Sequence, residues 1–128
     1  METKEANSRV SAASCEARDW ACGGKGLLIW GPAAVLIIAG DHWASLRPWL
    51  WFAGFLVAGA ACLANAARCG RRHCYFTGPL FLLAAVYNAL AGFHLVPTNE
   101  TVFLGVVVGA GVLARLSELV LGRYARRA

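Results

Sequence analysis

Five cysteines, Cys15, Cys22, Cys62, Cys69 and Cys74, are the residues of this 128-residue chain best suited to chemistry. The densest cluster is Arg68-Cys69-Gly70-Arg71-Arg72-His73-Cys74, which sets two thiols and an imidazole within six residues. Nearby arginines stabilise a thiolate, and a thiolate is both the better nucleophile and the better soft-metal ligand. Cys62 lies seven residues before Cys69, two turns away on a continuing helix, so both can face one side. Cys15 and Cys22 repeat that spacing. The pattern points to Cys69, Cys74, Cys62 and His73 as ligands of a soft ion of the Hg, Zn or Cu class, the one cofactor-like group the sequence suggests. The Cys-x4-Cys spacing is not the tight Cys-x2-Cys of a zinc ribbon, and cysteine is also a common small packing residue.

A second polar group, Asp41, His42, His94 and Glu100, falls at the other ends of the same segments. It offers harder ligands for uptake, but exposed loop residues are the favoured reading. The chain carries no phosphate-binding glycine loop, zinc-protease motif or serine-nucleophile elbow. Gly23-Gly24-Lys25 has neither the length nor the following Ser/Thr of a phosphate loop. No catalytic residue is assigned, and a non-enzyme is favoured.

The elements that must hold these groups are membrane spans. Apolar residues make up 59% of the chain and charged ones only 15%, against roughly 45–50% and 25% in a soluble domain. Four stretches approach the ~20 apolar residues that cross a bilayer: Gly24–Gly40, Trp49–Ala67, Tyr75–Leu95 and Thr101–Leu121. The first is the weakest, with an unbroken apolar run only over Gly26–Ala39. Eleven of the twelve Lys and Arg residues fall in the N-terminal segment, the loop between spans two and three, and the C-terminal end; only Arg47 does not. The positive-inside rule then puts both termini in the cytoplasm. The expectation is an all-α integral membrane four-helix bundle, N-in/C-in. It comprises a flexible cytoplasmic segment over residues 1–19 and a transmembrane domain over residues 20–128. The net charge of +5 is read as membrane orientation, not as nucleic-acid binding.

Met1–Asp19 mixes charged with small polar residues and is expected to be loosely held, neither a cleaved signal peptide nor lipidated at Cys15. Within the spans, Gly31-Pro32 predicts a kink. Gly54, Ala58 and Ala61, and Gly105 with Gly109, are small residues that let helices approach closely. Packing within the bundle is the favoured reading for them, with a homodimer seam through Gly105 and Gly109 as the alternative. Asn88, near the middle of span three, must face another helix or a wet cavity, because an unpaired amide in lipid is costly. Arg115 and Glu118, three apart on span four, are placed to pair with each other.

The stretch Asn65–Pro79, about one eighth of the chain, resembles a segment of small bacterial four-span membrane proteins with a Cys-Gly-Arg-x-His-Cys loop, a family that brings no established activity. More loosely, a short cysteine-bearing multi-span chain is similar to the membrane transporters of mercury-resistance systems. Those carry a vicinal cysteine pair in the first span; this sequence has no Cys-Cys. The resemblance implies a bacterial inner membrane.

Three functions are therefore expected in order. The first is thiol-based binding or transport of a soft metal ion. The second is an accessory subunit docked on a larger membrane complex. The third is a membrane thiol oxidoreductase, disfavoured because every thiol falls on the reducing cytoplasmic side. The lipid bilayer is the common partner.

Overall fold

A computed structural model of the protein describes residues 2–19 and 24–122. They form five helices: α1 Glu2–Arg18, α2 Gly24–His42, α3 Arg47–Cys69, α4 Arg72–Gly92 and α5 Glu100–Leu121. Three of these, α3, α4 and α5, are long and apolar enough to cross a membrane. Helix α2, expected as the first span, is not among them: its 19 residues include Lys25 near one end and Asp41 and His42 at the other.

Helix α1 takes the place of the loosely held segment suggested by composition. Its sequence alternates Ala and Glu with polar residues, and Glu2 and Glu5 in the first turn and Arg18 in the last complement the helix dipole. Helix α3 starts without a side-chain cap, Pro48 occupying its first turn. It ends where Gly70 adopts a left-handed conformation (φ 64°) and its N–H closes on the Ala66 carbonyl at 2.7 Å. Only Gly70 and the extended Arg71 separate α3 from α4, so the two run side by side as a hairpin. At the far end of α4, Asn99 caps α5 by accepting the Val102 N–H at 3.1 Å.

Helix α3 is the centre of the fold, packed on α2 and on α4, while α5 packs on α4 and α1 touches α3. Close approach is set by small residues. A Cβ on Gly54 would sit 2.8 Å from Ile37 of α2, and one on Gly59 would sit 2.9 Å from Leu82 and 3.1 Å from the Gly78 carbonyl of α4. The intramolecular role expected for Gly54 is thus seen. For Gly105 and Gly109 it is not: nothing lies within 4 Å of a Cβ at either, because α5 is held by aromatic side chains rather than by backbone approach. Phe103 stacks between Trp51 (5.7 Å) and Tyr87 (5.1 Å) and meets Phe55 edge-on, with Val107 and Ala85 completing the core. The outward faces of α2, α4 and α5 carry exposed Leu27, Val35, Leu83, Val86, Leu113 and Leu119, the apolar surface that spans present to lipid.

Candidate functional site

The end of the bundle where α3 turns into α4 buries an unusual density of polar side chains. Asn65 stands about one turn before the end of α3 facing α4, and Cys62 lies three residues earlier on that face; both are almost fully enclosed. Cys74 follows in the first turn of α4 and is 0% exposed. Cys62 and Cys74 pack in one buried cluster with Ala66. Cys62 Sγ also lies 3.4 Å from Thr77 Oγ1, whose hydroxyl donates to the His73 carbonyl at 2.9 Å. Cys74 Sγ lies 3.4 Å from His73 Nε2 and accepts a long contact from Asn65 Nδ2 at 3.8 Å.

Charge surrounds this thiol pair. His73 Nδ1 meets Glu118 Oε1 of α5 at 2.5 Å, and the same carboxylate takes Arg71 Nε at 3.3 Å and Arg115 Nη1 at 3.5 Å. Arg71 turns inward from the two-residue connection and also pairs with Asp19, which in turn accepts from Asn65 Nδ2 at 2.8 Å. Burial opposes the Arg71 charge, but the hydrogen bond and field of Asp19, followed by those of Glu118, outweigh it and hold the guanidinium above its ordinary range. One arginine thereby ties the end of α1, the α3–α4 turn and α5 together, with its charge balanced by two carboxylates.

Three of the four expected ligands meet here: Cys62, Cys74 and His73. Cys69 is buried at the end of α3, while the Cys74 thiol is contacted by His73 and Asn65. Cys62, Asn65, Ala66 and Cys69 share one buried stripe of α3, and of these Cys62 and Ala66 form a buried cluster with Cys74. Among the described residues no group of three or more His, Cys, Asp and Glu side chains is arranged to hold a metal ion. The Cys15 side chain and all of Cys22 lie outside the described residues.

Sequence reasoning missed Asp19 altogether and read Glu118 only as the partner of Arg115, a pairing that does form. The available signal was an acidic residue in the last turn of the apolar α5, at the end where three arginines cluster around the α3–α4 turn. Asn88 sits as expected against a cavity at the opposite end of the bundle. Compared with protein-family models, curated proteins and solved structures, the chain matches none.

Chemically, Cys74–His73–Glu118 is a thiol, an imidazole and a carboxylate in line. The imidazole can take the thiol proton while the carboxylate fixes its orientation and balances the charge that forms. Cys62, buried in the same cluster as Cys74, supplies a second soft donor.

Proposed function

We propose that the protein is a four-span, N-in/C-in membrane protein of the bacterial inner membrane that binds a soft metal ion at Cys62 and Cys74 and passes it across the bilayer. The observation that carries this reading is the burial of two thiols from neighbouring helices in one cluster, with His73 placed at the second. A pair of thiolates suits ions content with two linear sulfur ligands, Hg(II) and Cu(I), better than Zn(II), which asks for four donors in a tetrahedron. This narrows the metal classes considered from sequence alone. Binding Hg(II) displaces two thiol protons, both released to water, and the resulting dithiolate complex is neutral. It adds no net charge to a site where Arg71 already faces two carboxylates. The basic residues around the α3–α4 turn support a cytoplasmic location for the centre, and Lys25 and Trp43 flanking α2 support a fourth, short span anchored at both interfaces.

The test is accumulation of Hg(II), Cu, Cd(II) and Zn(II) in cells expressing the protein or its Cys62→Ser/Cys74→Ser variant at equal levels. A change for Hg or Cu that vanishes in the variant supports the proposal, and Cys69→Ser should behave as the unaltered chain. Equal accumulation with both proteins for every metal refutes it. In that case the His73–Glu118 pair behind Cys74 favours thiol–disulfide chemistry, in which Cys62 and Cys74 lose two electrons and two protons to a quinone-type acceptor.

A further inference from the structure

At the end of the bundle remote from the thiols, a cavity of about 290 Å³ opens between the starts of α3 and α5 and the end of α4. Its size is at the lower bound of small-molecule sites. Its apolar wall is aromatic: Trp51, Tyr87 and Phe103 form a stacked series. The polar groups of these rings are already engaged within the fold, Trp51 Nε1 by the Ile37 carbonyl at 3.0 Å and the Tyr87 hydroxyl by the Pro97 carbonyl at 2.9 Å. The walls therefore present π faces rather than donors.

Ser45, His94 and Thr98 also line the cavity, and two open acceptors stand among its polar groups. Asn88 is 4% exposed and spends its Nδ2 on the Ala84 carbonyl at 2.8 Å, which fixes the amide's orientation and leaves Oδ1 without a protein partner at the cavity wall. Glu100 gives Oε1 to Arg47 and keeps Oε2, its side chain being 51% exposed. Arg47, a cation on the same wall, is held by the fold: it donates to Glu100, to the Gly40 carbonyl at 3.1 Å and to the Asp41 carbonyl at 3.4 Å. Its guanidinium lies 5.8 Å over the Trp51 ring, so the aromatic wall already accommodates a positive charge.

We infer that this cavity binds a protonated primary amine carried on a small aromatic body. The ammonium N–H groups are given to Asn88 Oδ1 and Glu100 Oε2, and the ring lies against Trp51, Tyr87 and Phe103. Each part of the ligand answers a part of the site: donors for two open acceptors, positive charge for a carboxylate and π faces, and a flat apolar body for a stacked wall. An anion meets the Glu100 carboxylate and the Asn88 carbonyl oxygen, and a neutral alcohol satisfies one of these acceptors without the charge. The inference stands on its own residues and is independent of the thiol centre.

The experiment is calorimetric titration of the full-length protein in phosphatidylglycerol nanodiscs with phenethylammonium, 2-phenylethanol and 3-phenylpropanoate. Phenethylammonium should bind saturably, and the other two about tenfold or more weakly. Glu100→Gln should weaken phenethylammonium about tenfold and Asn88→Ala several-fold, consistent with lost charge-assisted hydrogen bonds. Arg47→Gln releases Glu100 from its resident partner and should tighten binding several-fold, a gain that damage to the fold would not produce. Equal affinity for all three probes overturns the assignment, as does no loss in Glu100→Gln, or a loss in Arg47→Gln. Repeating the titration in phosphatidylethanolamine should leave the affinity unchanged. A tenfold drop there would assign the site to the lipid ammonium headgroup and overturn the solute reading.

Discussion

The two ends of the α3–α4 hairpin solve the same problem in opposite ways. Helix α5 packs on α4, yet it must be fixed at both ends. At the turn end it is fixed by charge, through Glu118 on Arg71 and His73, with Asp19 drawn in from the end of α1. At the far end it is fixed by rings, through Phe103 between Trp51 and Tyr87, and the ion pair there, Arg47 with Glu100, stays at the rim. Burial makes the difference. The Arg71, Asp19 and Glu118 side chains are almost fully enclosed, whereas Glu100 is half exposed. A buried charge network is strong only while complete, because each member alone is a large desolvation penalty. A ring stack degrades gradually, because each ring contributes area and dispersion independently of the others.

The largest effect that separates the two ends should come from removing their arginines. Arg71→Met leaves Asp19 and Glu118 facing each other across a buried site and should destabilise the fold by about 3–5 kcal/mol. Arg47→Met removes a partly exposed ion pair and should cost no more than about 1 kcal/mol. Unfolding in mixed micelles under increasing SDS reads both. Similar losses in the two variants would dissolve the distinction. Adding Asp19→Asn and Glu118→Gln to Arg71→Met should restore most of the stability, because the neutral amides no longer repel.

How much of this was legible in the sequence follows the same division. The spans α3, α4 and α5 stand out because length and apolarity are local properties, and the Gly70 turn is marked by its own glycine. The need for Asn88 to find a cavity follows from the cost of an amide in lipid. The charge network was not legible because its links are long in sequence: Asp19 reaches Asn65 and Arg71, and Arg71 reaches Glu118, across 46 to 52 residues. Periodicity says which face a residue occupies on its own helix, not what lies opposite. The thiols show a related limit: closeness in sequence singles out Cys69 with Cys74, whereas the cluster that buries Cys74 takes in Cys62 from two turns earlier on α3.

A smaller effect tests whether the aromatic end is as gradual as described. Phe103→Leu keeps an apolar side chain but gives up the stacking on Trp51 and Tyr87, and should cost about 1–2 kcal/mol. Because that ring forms one wall of the cavity, the variant should also weaken phenethylammonium binding while leaving metal-dependent accumulation unchanged. Coupled loss of both would mean that the two ends are not independent. At the thiol end, Cys62→Ser substitutes a hydroxyl that can still bond to Thr77, and should lower stability by about 1 kcal/mol or less. Its effect on metal accumulation should instead be near complete, since one thiolate does not make a linear pair.

The smallest intramolecular effect is expected on α5, between the two anchors. Gly59→Ala drives a methyl toward Leu82 and the Gly78 backbone and should destabilise by about 1–2 kcal/mol. Gly109→Ala meets nothing within 4 Å and should change monomer stability by a few tenths of a kcal/mol at most, toward gain, as alanine favours the helix. The contrast also bears on the homodimer seam expected through Gly105 and Gly109. If that open stripe is where a second copy packs, Gly109→Leu will lower the dimer fraction in nanodiscs without lowering the unfolding midpoint of the monomer. If the stripe faces lipid, Gly109→Leu will leave both unchanged. Single-molecule photobleaching counts the copies, and SDS unfolding at high lipid dilution isolates the monomer. Only an interface between copies moves the first readout and spares the second, because the fold itself uses aromatic rings, not these glycines, to hold α5 in place.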